Sequence, residues 1–481
     1  MRVVYASSEA APFAKTGGLA DVAGALPPAL ARAGADTAVF IPLYAKCRES
    51  GLSMEKTGVR LNVSVGGMMV DAGIWRSDIG GVPVYLVEQD GFFDRPELYG
   101  TIYGDYPDNM ERFAFFSRAV IEAVNALAMK PDVFHVNDWQ TALIPVYAKT
   151  VYENRKLFRH VPCLLTIHNM TYQGMFPAQR FPLLGLDWRL FNWREMEFYG
   201  RINLLKGGIV FSEAVSTVSR KYAEEITAPE YGAGLDGVLR ERSGDLYGII
   251  NGVDYAVWNP SSDVLIPARY DADSLHGKAK CKKALQKEMG LPVKKGVPLI
   301  GMVGRLVDQK GLDIFSAALD GILKLGVQTV VLGTGMEHYH RVLTRTAAAS
   351  PEKLAVKIGF DNGLAHRIEA GCDMFLMPSR FEPCGLNQLY SLRYGTVPIV
   401  HAVGGLADTV KDWDASDGAA TGFCFHDYSP SALLEALRRA LALYARPREW
   451  RRLMVSGMKQ DWSWNRSASE YMSLYSRILE G

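Results

Sequence analysis

Several things are missing from this chain, and each absence closes off a class of protein. No run of about 18 apolar residues occurs, so no helix is expected to span a bilayer. The first residues, M-R-V-V-Y-A-S-S-E, hold too short an apolar run for a secretory signal and lead directly into a strand-like segment. Charge of one sign is not in excess: 53 Lys and Arg against 52 Asp and Glu leave a net +1, which argues against a nucleic-acid or membrane-surface role. The six cysteines, at 47, 163, 281, 372, 384 and 424, contain no C-x-x-C pair and no pairing logic, the pattern of a reduced, cytoplasmic protein. Low-complexity segments are absent, and so is the G-x-x-x-x-G-K-[ST] order of a P-loop. What remains is an ordinary globular composition, 48% hydrophobic and 22% charged, over 481 residues, a length that predicts two or three domains.

The most informative stretch runs from Asp373 to Val410. Met374 to Met377 predicts a buried parallel strand closed by Pro378. The loop after it carries Ser379, Arg380, Glu382, Cys384 and Gly385, and Leu386, Leu389, Tyr390 and Arg393 then follow at helical spacing. Val397 to Val400 predicts a second strand, and Gly404-Gly405 a second helix start. In an open α/β sheet, ligands sit outside the carboxyl ends of strands, where helix N-termini offer free N–H groups to anions. Two such ends, one carrying a carboxylate, suit a sugar joined to a phosphate. The letters G-G-L-A-D occur at 404–408 and again at 17–21, the second time after the strand-like Val3 to Ala6, which predicts two α/β halves. Each Gly-Gly also reads as a simple tight turn.

Along the rest of the chain, residues 37–44 and 82–88 predict strands of a wound sheet. Tyr103 to Phe113 reads either as a tyrosine surface that stacks on sugar rings or as an ordered loop with a helix starting at Asp108. Strands at 133–136 and 163–167 end in Asn137-Asp138-Trp139-Gln140 and His168-Asn169, polar groups at neighbouring strand ends. A helix is expected over 195–212, with Lys206 in its second half, followed by strands at 215–219 and 248–254, the latter closing on Asn251 and Asp254. Trp258-Asn259-Pro260 breaks the chain, and a polar linker with one lysine-rich helix runs to about 295. Asp271-Ala272-Asp273 lies in that linker with no strand before it, so the pair is not read as a metal site. Strands at 297–303, 327–333, 354–360 and the helices to Gly481 complete the second half. Lys15, ahead of Gly17-Gly18, offers a diphosphate a point charge beside backbone donors. Arg305 and Lys310, five residues apart after the strand at 297–303, are read as phosphate clamps rather than solvated surface charge.

Taken together, K-T-G-G-L-A-D-V (15–22), Y-G-D-Y-P-D-N (103–109), N-D-W (137–139), T-I-H-N (166–169), N-G-V-D (251–254), W-N-P (258–260), G-R-L (304–306), Q-K-G-L-D (309–313), S-R-F-E-P-C-G-L (379–386) and G-G-L-A-D-T-V (404–410) resemble the bacterial glycogen synthases and the related starch synthases. The resemblance covers essentially the whole chain. It implies two Rossmann-like α/β domains facing a deep cleft, the GT-B architecture, with the last helix crossing back to the first domain. The expected segments are 1–260, an acceptor and catalytic domain; 261–455, a nucleotide-sugar domain; and 456–481, the returning helix. The implied activity is retaining transfer of glucose from ADP-glucose to the non-reducing 4-hydroxyl of an α-1,4-glucan, glycogen or a maltooligosaccharide, with no cofactor and no metal.

By the same resemblance Arg305, Lys310, Glu382, His168 and Asp138 form the catalytic set. Arg305 and Lys310 neutralise the leaving ADP, Lys15 lies near the phosphates, Glu382 holds glucose hydroxyls, and Asp138, His168 and Asn251 line the sugar subsite. Gly404 and Gly405 meet the pyrophosphate, and Gly17, Gly18, Asp21, Cys384, Gly385 and Leu386 complete the substrate-binding positions. No carboxylate among these motifs suits a nucleophile, so retention implies attack on the leaving-group face, the departing phosphate oxygen taking the proton. The chain departs from the family pattern at Gln140 (usually His), Asn387 (usually Thr), Ala402-Val403 (usually Arg-Thr) and Phe360 (usually Tyr). Those departures keep two other readings open: UDP-glucose or a short acceptor on the same fold, and a degenerate glucan-binding regulator.

Overall fold

The computed structural model describes residues 1–481 except Lys156, Arg159, Ser416, Asp417 and Gly481. It divides into two compact units: Met1–Val218, Ala223–Gly252 and Trp464–Gly481 form unit 1, and Ser219–Tyr222 with Val253–Ser463 form unit 2.

Unit 1 is built on a nine-stranded sheet. Its strands in chain order are β1 (Arg2–Ala6), β2 (Asp36–Pro42), β3 (Glu55–Val65), β4 (Met68–Ile79), β5 (Val82–Glu88), β6 (Val133–Asn137), β7 (Cys163–Ile167), β8 (Ala214–Thr217) and β9 (Leu246–Gly248). Their spatial order is β9-β8-β7-β6-β1-β2-β5-β4-β3. The central strands are parallel and covered on both faces, which is why β6, β7 and β8 read as unbroken buried runs rather than alternating ones. The chain winds outward from β1 through β2 and then returns to β6 on β1's other side, so β1 and β6 flank a topological switch point.

The helix Trp464–Glu480 belongs to unit 1, where it packs on the helix Gly18–Arg32. Its Tyr471 and Tyr475 are fully buried, worth about 1.5–3 kcal/mol for each such side chain. The Tyr475 hydroxyl lies 2.7 Å from His135 Nδ1, and His135 Nε2 lies 2.7 Å from Thr166 Oγ1. Burial pushes that imidazole down to about 3, so it is a neutral, satisfied core histidine. The expected end of this helix at Gly481 lies outside the described residues.

In unit 1 one element was not anticipated and two local expectations are corrected. The antiparallel hairpin of β3 and β4, turning at Gly66-Gly67 on the sheet edge, occupies a stretch with no predicted element. Over 195–212 there is no continuous helix. Glu197–Phe198 and Arg201–Asn203 pair antiparallel around Tyr199 and Gly200, both at positive φ, and the helix begins only at Leu204. Asn203 sets that start because its side chain accepts from the Lys206 amide (2.9 Å), which places Lys206 in the first turn. Finally, the strand expected over 248–254 stops at Gly248, and beyond it the Ile250 carbonyl accepts from Ser467 Oγ (2.6 Å) on the last helix instead of from a strand.

Unit 2 holds a six-stranded, all-parallel sheet of β10 (Leu299–Val303), β11 (Gln328–Gly333), β12 (Leu354–Ile358), β13 (Met374–Met377), β14 (Val397–His401) and β15 (Phe423–Phe425). The order is β12-β11-β10-β13-β14-β15, which puts a second switch point between β10 and β13. Apolar clusters fill both faces of the sheet, as a parallel sheet requires. The linker's Trp258 stacks between His366 (centroids 3.7 Å apart) and Tyr390 (3.9 Å), so W-N-P is a packing element of this unit. Among the described residues no helix is long and apolar enough to cross a membrane.

Candidate active site

Each switch point is furnished by the residues that the motifs carry. In unit 1, Asn137 ends β6 and ties the neighbouring strand ends together. Its Nδ2 donates to the Ala6 carbonyl (2.9 Å), so its Oδ1 is the acceptor for the Tyr5 hydroxyl (3.0 Å) and for His168 Nε2 (2.9 Å). His168 therefore carries its proton on Nε2 and its lone pair on Nδ1, and burial holds it neutral by pushing it down to about 3.

Asp138 follows with φ 53, a left-handed conformation in which an aspartate is tolerated at local cost. Its Oδ1 accepts from the His168 amide at 2.7 Å. Burial pushes the carboxyl up to about 7; amides of His168 and Asn169 pull against that, and nearby Glu9 adds to it. Glu9 is itself raised by burial and is held by Thr16, whose amide (2.5 Å) and hydroxyl (2.9 Å) both donate to its Oε2. Glu9 thus closes the loop that presents Lys15, Gly17 and Gly18. Lys15 Nζ pairs with Asp21 Oδ1 at 2.6 Å on the exposed side of that loop.

Gly17 precedes and Gly18 opens the helix Gly18–Arg32. A Cβ on Gly17 would come no closer than 4.0 Å to Glu9 Oε1, and one on Gly18 would meet nothing within 4 Å. Asn251, beyond the carboxyl end of β9, is buried with its Oδ1 unpartnered among the described residues, and the same holds for Gln140 Oε1. No hydrogen bond among the described residues joins Asn251 to Asp138 or His168.

In unit 2, the loop after β10 carries Arg305 and Lys310 and the loop after β13 carries Glu382. Lys310 Nζ meets Glu382 Oε2 at 2.5 Å, and Ser379 Oγ donates to the same oxygen at 3.1 Å. Arg305 is exposed and reaches Gln309 Oε1 (2.8 Å) within its own loop, so the structure does not bring it onto Glu382. The two loops are stitched by Arg380 N donating to Gln309 O (2.9 Å) and by Asn387 Nδ2 donating to Val303 O (2.7 Å). Asn387, one of the departures, thus has a structural partner.

Cys384 is buried, Gly385 has φ +73, and Leu386 caps the helix Asn387–Tyr394. Gln388 Nε2 holds this turn through the carbonyls of Cys384 (2.9 Å) and Gly385 (3.0 Å). Gly404 (φ +44) and Gly405 open the next helix in close contact with that loop. A Cβ on Gly404 would lie 2.0 Å from the Glu382 carbonyl oxygen and one on Gly405 2.0 Å from that of Cys384. Phe360, by contrast, stands 87% exposed past β12, two strands away from β10. The residues missed in the sequence are Glu9 and Gln309, polar groups in loops that follow a strand's carboxyl end, which was the available signal; Ser379, named in its loop, gains its role from the bond to Glu382.

Two α/β units, each with charged loops and a glycine-opened helix at the switch point of its sheet, are the parts of which glycosyltransferases of the GT-B class are made, and comparison with known proteins places the chain in that class. Residues 2–241 match the family described as "Starch synthase catalytic domain", and residues 286–453 match "Glycosyl transferases group 1". The chain is 50% identical over its full length to a glycogen synthase of Koribacter versatilis, covering 99% of that protein, and 46% identical over its full length to one of Syntrophotalea carbinolica, again covering 99%. The solved catalytic domain of starch synthase IV from Arabidopsis thaliana, bound to ADP and acarbose, is similar to all of it with a TM-score of 0.90 at 34% identity, and 99% of that domain is covered. A sucrose-phosphate synthase from Thermosynechococcus elongatus shares the fold, with a TM-score of 0.61 at 17% identity over the full chain and 99% of its own length. The chain belongs to the glycogen and starch synthase family of glycosyltransferases.

Proposed function

We propose that this protein is a glycogen synthase that moves glucose from ADP-glucose to the non-reducing 4-hydroxyl of an α-1,4-glucan, with retention of configuration, in the cytoplasm. The observation that carries the reading is the Lys310–Glu382 pair at the unit 2 switch point, with Ser379 on the same carboxylate oxygen and the Gly404-Gly405 helix start packed on the same loop. Cleavage of the sugar–phosphate bond leaves new negative charge on ADP and positive character on the anomeric carbon. Lys310 and Arg305 supply fixed positive charge to the leaving diphosphate, and such placed charge is worth several kcal/mol when it matches charge that develops in the transition state. The helix start at Gly404 braces the Glu382 loop, its Gly405 amide donating to the carbonyls of Glu382 (3.1 Å) and Pro383 (3.2 Å). Glu382 orients glucose hydroxyls while it keeps Lys310 in place.

In unit 1, neutral His168 offers a lone pair at Nδ1 and Asp138 a second acceptor, which suits hydroxyls of a sugar rather than phosphates. Asn251 Oδ1, buried and unpartnered, is a further acceptor for a sugar hydroxyl. Lys15, held by Asp21 beside the open helix start at Gly17 and Gly18, is the cation that this unit offers to a phosphate. Attack by the acceptor hydroxyl on the leaving-group face preserves configuration, and its proton passes to the departing phosphate oxygen.

Donor choice is the point at which a second reading has an observation behind it. Val403 precedes the Gly404 helix with no side-chain hydrogen bond, where the family pattern offers a hydroxyl. The test is release of ADP and of UDP from the matching glucose nucleotides, with and without glycogen and short maltooligosaccharides, with Lys310→Ala as control. Glycogen-dependent ADP release that disappears in the variant supports the proposal. UDP release in its place moves the donor assignment, and release of neither with glucan still bound makes the chain a binding partner.

A further inference from the structure

The stretch 188–199 of unit 1 holds three large aromatic side chains out to solvent: Trp188 is 54% exposed, Trp193 68% and Tyr199 84%. A single exposed ring needs no explanation. Three on one short stretch do, because rings of this size are the side chains that cores and binding surfaces take up first.

The stretch is firmly tied. Lys206, 4% exposed and without a part in the proposed chemistry, donates from Nζ to the carbonyl oxygens of Trp193 (2.5 Å) and Glu197 (2.7 Å). The Asn192 carbonyl accepts from the amides of Glu195 (3.1 Å) and Glu197 (3.0 Å), and its Oδ1 accepts from the Arg194 amide (2.8 Å). Trp188 stands edge-on against the buried Phe181, centroids 5.3 Å apart, and beside Phe191 at 5.1 Å. Tyr199 stands against Phe198 (4.7 Å) and turns the chain with φ 50, a left-handed conformation that a bulky residue adopts at local cost. Glycine or asparagine would fill that turn more cheaply. The fold therefore spends strain, and a buried lysine, on keeping these rings in place outside the core.

This framework is rooted at the switch point of unit 1. Met175–Pro177, Arg201–Asn203 and Glu197–Phe198 form a small antiparallel sheet in that order. Phe176 of its first strand packs on Trp139, the residue after Asp138, with centroids 5.8 Å apart. Gly174 lies so close to the same indole that a Cβ there would come within 2.5 Å of it. The exposed rings thus belong to a structure that adjoins the sugar subsite assigned to Asp138 and His168.

Charge says what this surface suits. Over 187–201, Arg189, Arg194 and Arg201 are balanced by Asp187, Glu195 and Glu197, so no net field draws a polyanion. A sugar is neutral, its C–H face meets the negative face of an aromatic ring, and its hydroxyls can bond the charged groups between the rings. An α-glucan repeats that unit along its length, so separate rings on a fixed framework can each meet a separate sugar.

We infer that Trp188, Trp193 and Tyr199 form a second glucan-contact surface on unit 1, which holds the acceptor chain away from its reacting end and so favours long acceptors over short ones. That the glucan held there is the acceptor rests on the synthase reading; that the rings bind glucan does not.

The test uses the full-length protein and the exchanges Trp193→Ala and Tyr199→Asn, singly and together. Asparagine suits the left-handed turn, so the fold is expected to hold, and a melting curve checks it. Retardation in native gels that contain glycogen is expected to weaken about tenfold in the double variant, the scale of one or two lost ring contacts. With ADP-glucose as donor, the KM for glycogen is expected to rise by a similar factor, while kcat and the KM values for maltotriose and ADP-glucose stay as in wild type. Unchanged retardation by glycogen overturns the proposal. So does an equal rise in the KM for maltotriose, which would put the rings at the reacting end of the chain. Wild-type glycogen affinity with a smaller assembly on gel filtration overturns it in favour of a contact between two copies. Wild-type protein that transfers no glucose would sink the synthase reading, while the gels would still decide whether the rings bind glucan.

Discussion

Lys310 Nζ and Glu382 Oε2 lie 2.5 Å apart, so the cation assigned to the leaving diphosphate and the carboxylate assigned to the glucose are one ion pair. The Glu382 side chain is 7% exposed and that of Lys310 26%, so the lysine is the member with access to solvent and to a ligand. Lys310→Ala is expected to lower turnover by an amount equivalent to about 3 kcal/mol. Because Ser379 still holds Glu382, thermal melting should stay close to that of wild type. Steady-state kinetics beside a melting curve checks both halves, and wild-type turnover in the variant would remove Lys310 from the chemistry.

The two G-G-L-A-D segments make opposite demands on their glycines. At Gly405 a Cβ would run into the Cys384 carbonyl, whereas at Gly18 it would enter open space. Gly405→Ala should therefore destabilise unit 2 by about 1–3 kcal/mol, the usual result of overpacking, as read by urea unfolding. Gly18→Ala should leave unfolding unchanged and raise the KM for ADP-glucose. Equal KM values for that variant and wild type would mean that no substrate approaches the first helix start.

Asp138 and His168 pull stability in opposite directions with pH. The Asp138 carboxyl is raised from 3.8 to about 7 by burial, so the stability that goes with its neutral form is full below pH 3.8 and lost as pH climbs to about 7. His168 is lowered from 6.5 to about 3, so its contribution is full above pH 6.5 and lost as pH falls toward 3. Between pH 4 and 6.5 the two slopes oppose each other. Asp138→Asn keeps an acceptor for the His168 amide and should make the slope of stability against pH more positive than that of wild type by up to about 1.4 kcal/mol per unit, since the lowered His135 and His168 contribute equally to both proteins. Denaturation midpoints at pH 4.5, 5.5 and 6.5 provide the check. A slope identical to that of wild type would show that Asp138 is ionised throughout.

Trp258 lies between the rings of His366 and Tyr390, within 12° and 4° of parallel. Trp258→Ala should cost unit 2 about 2–4 kcal/mol, with donor KM unchanged in the fraction that remains folded. A rise in KM without loss of stability would instead move W-N-P into the substrate site.

How far the sequence carried the structure depended on whether a residue's partners were near in the chain. Met374–Met377, Val133–Asn137 and the helix starts at Gly18 and Gly404 were legible because strand, loop and glycine follow one another locally. Lys310 and Glu382 were assigned to a shared site by analogy, but only the adjacency of β10 and β13 makes them a pair. The segment 195–212 misled because its apolar residues keep a helical period through a tight turn, and the Asn203 cap was the late helix start that the pattern obscured. The β3–β4 hairpin alternates weakly on an exposed edge, where little burial enforces the pattern. Glu9 escaped because its role is to accept from Thr16, a contact that no spacing rule reveals.

The helix Trp464–Glu480 completes unit 1, although residues 253–463, all of them in unit 2, are made before it. At translation speeds of 5–20 residues per second, the ribosome needs roughly 10–40 seconds to make that intervening stretch. Throughout that interval the surface around His135 and Tyr5 waits without Tyr471 and Tyr475. The unit that is started first is thus the one finished last. A nascent chain stalled before residue 464 should hold a protease-resistant unit 2 and a unit 1 open to cleavage.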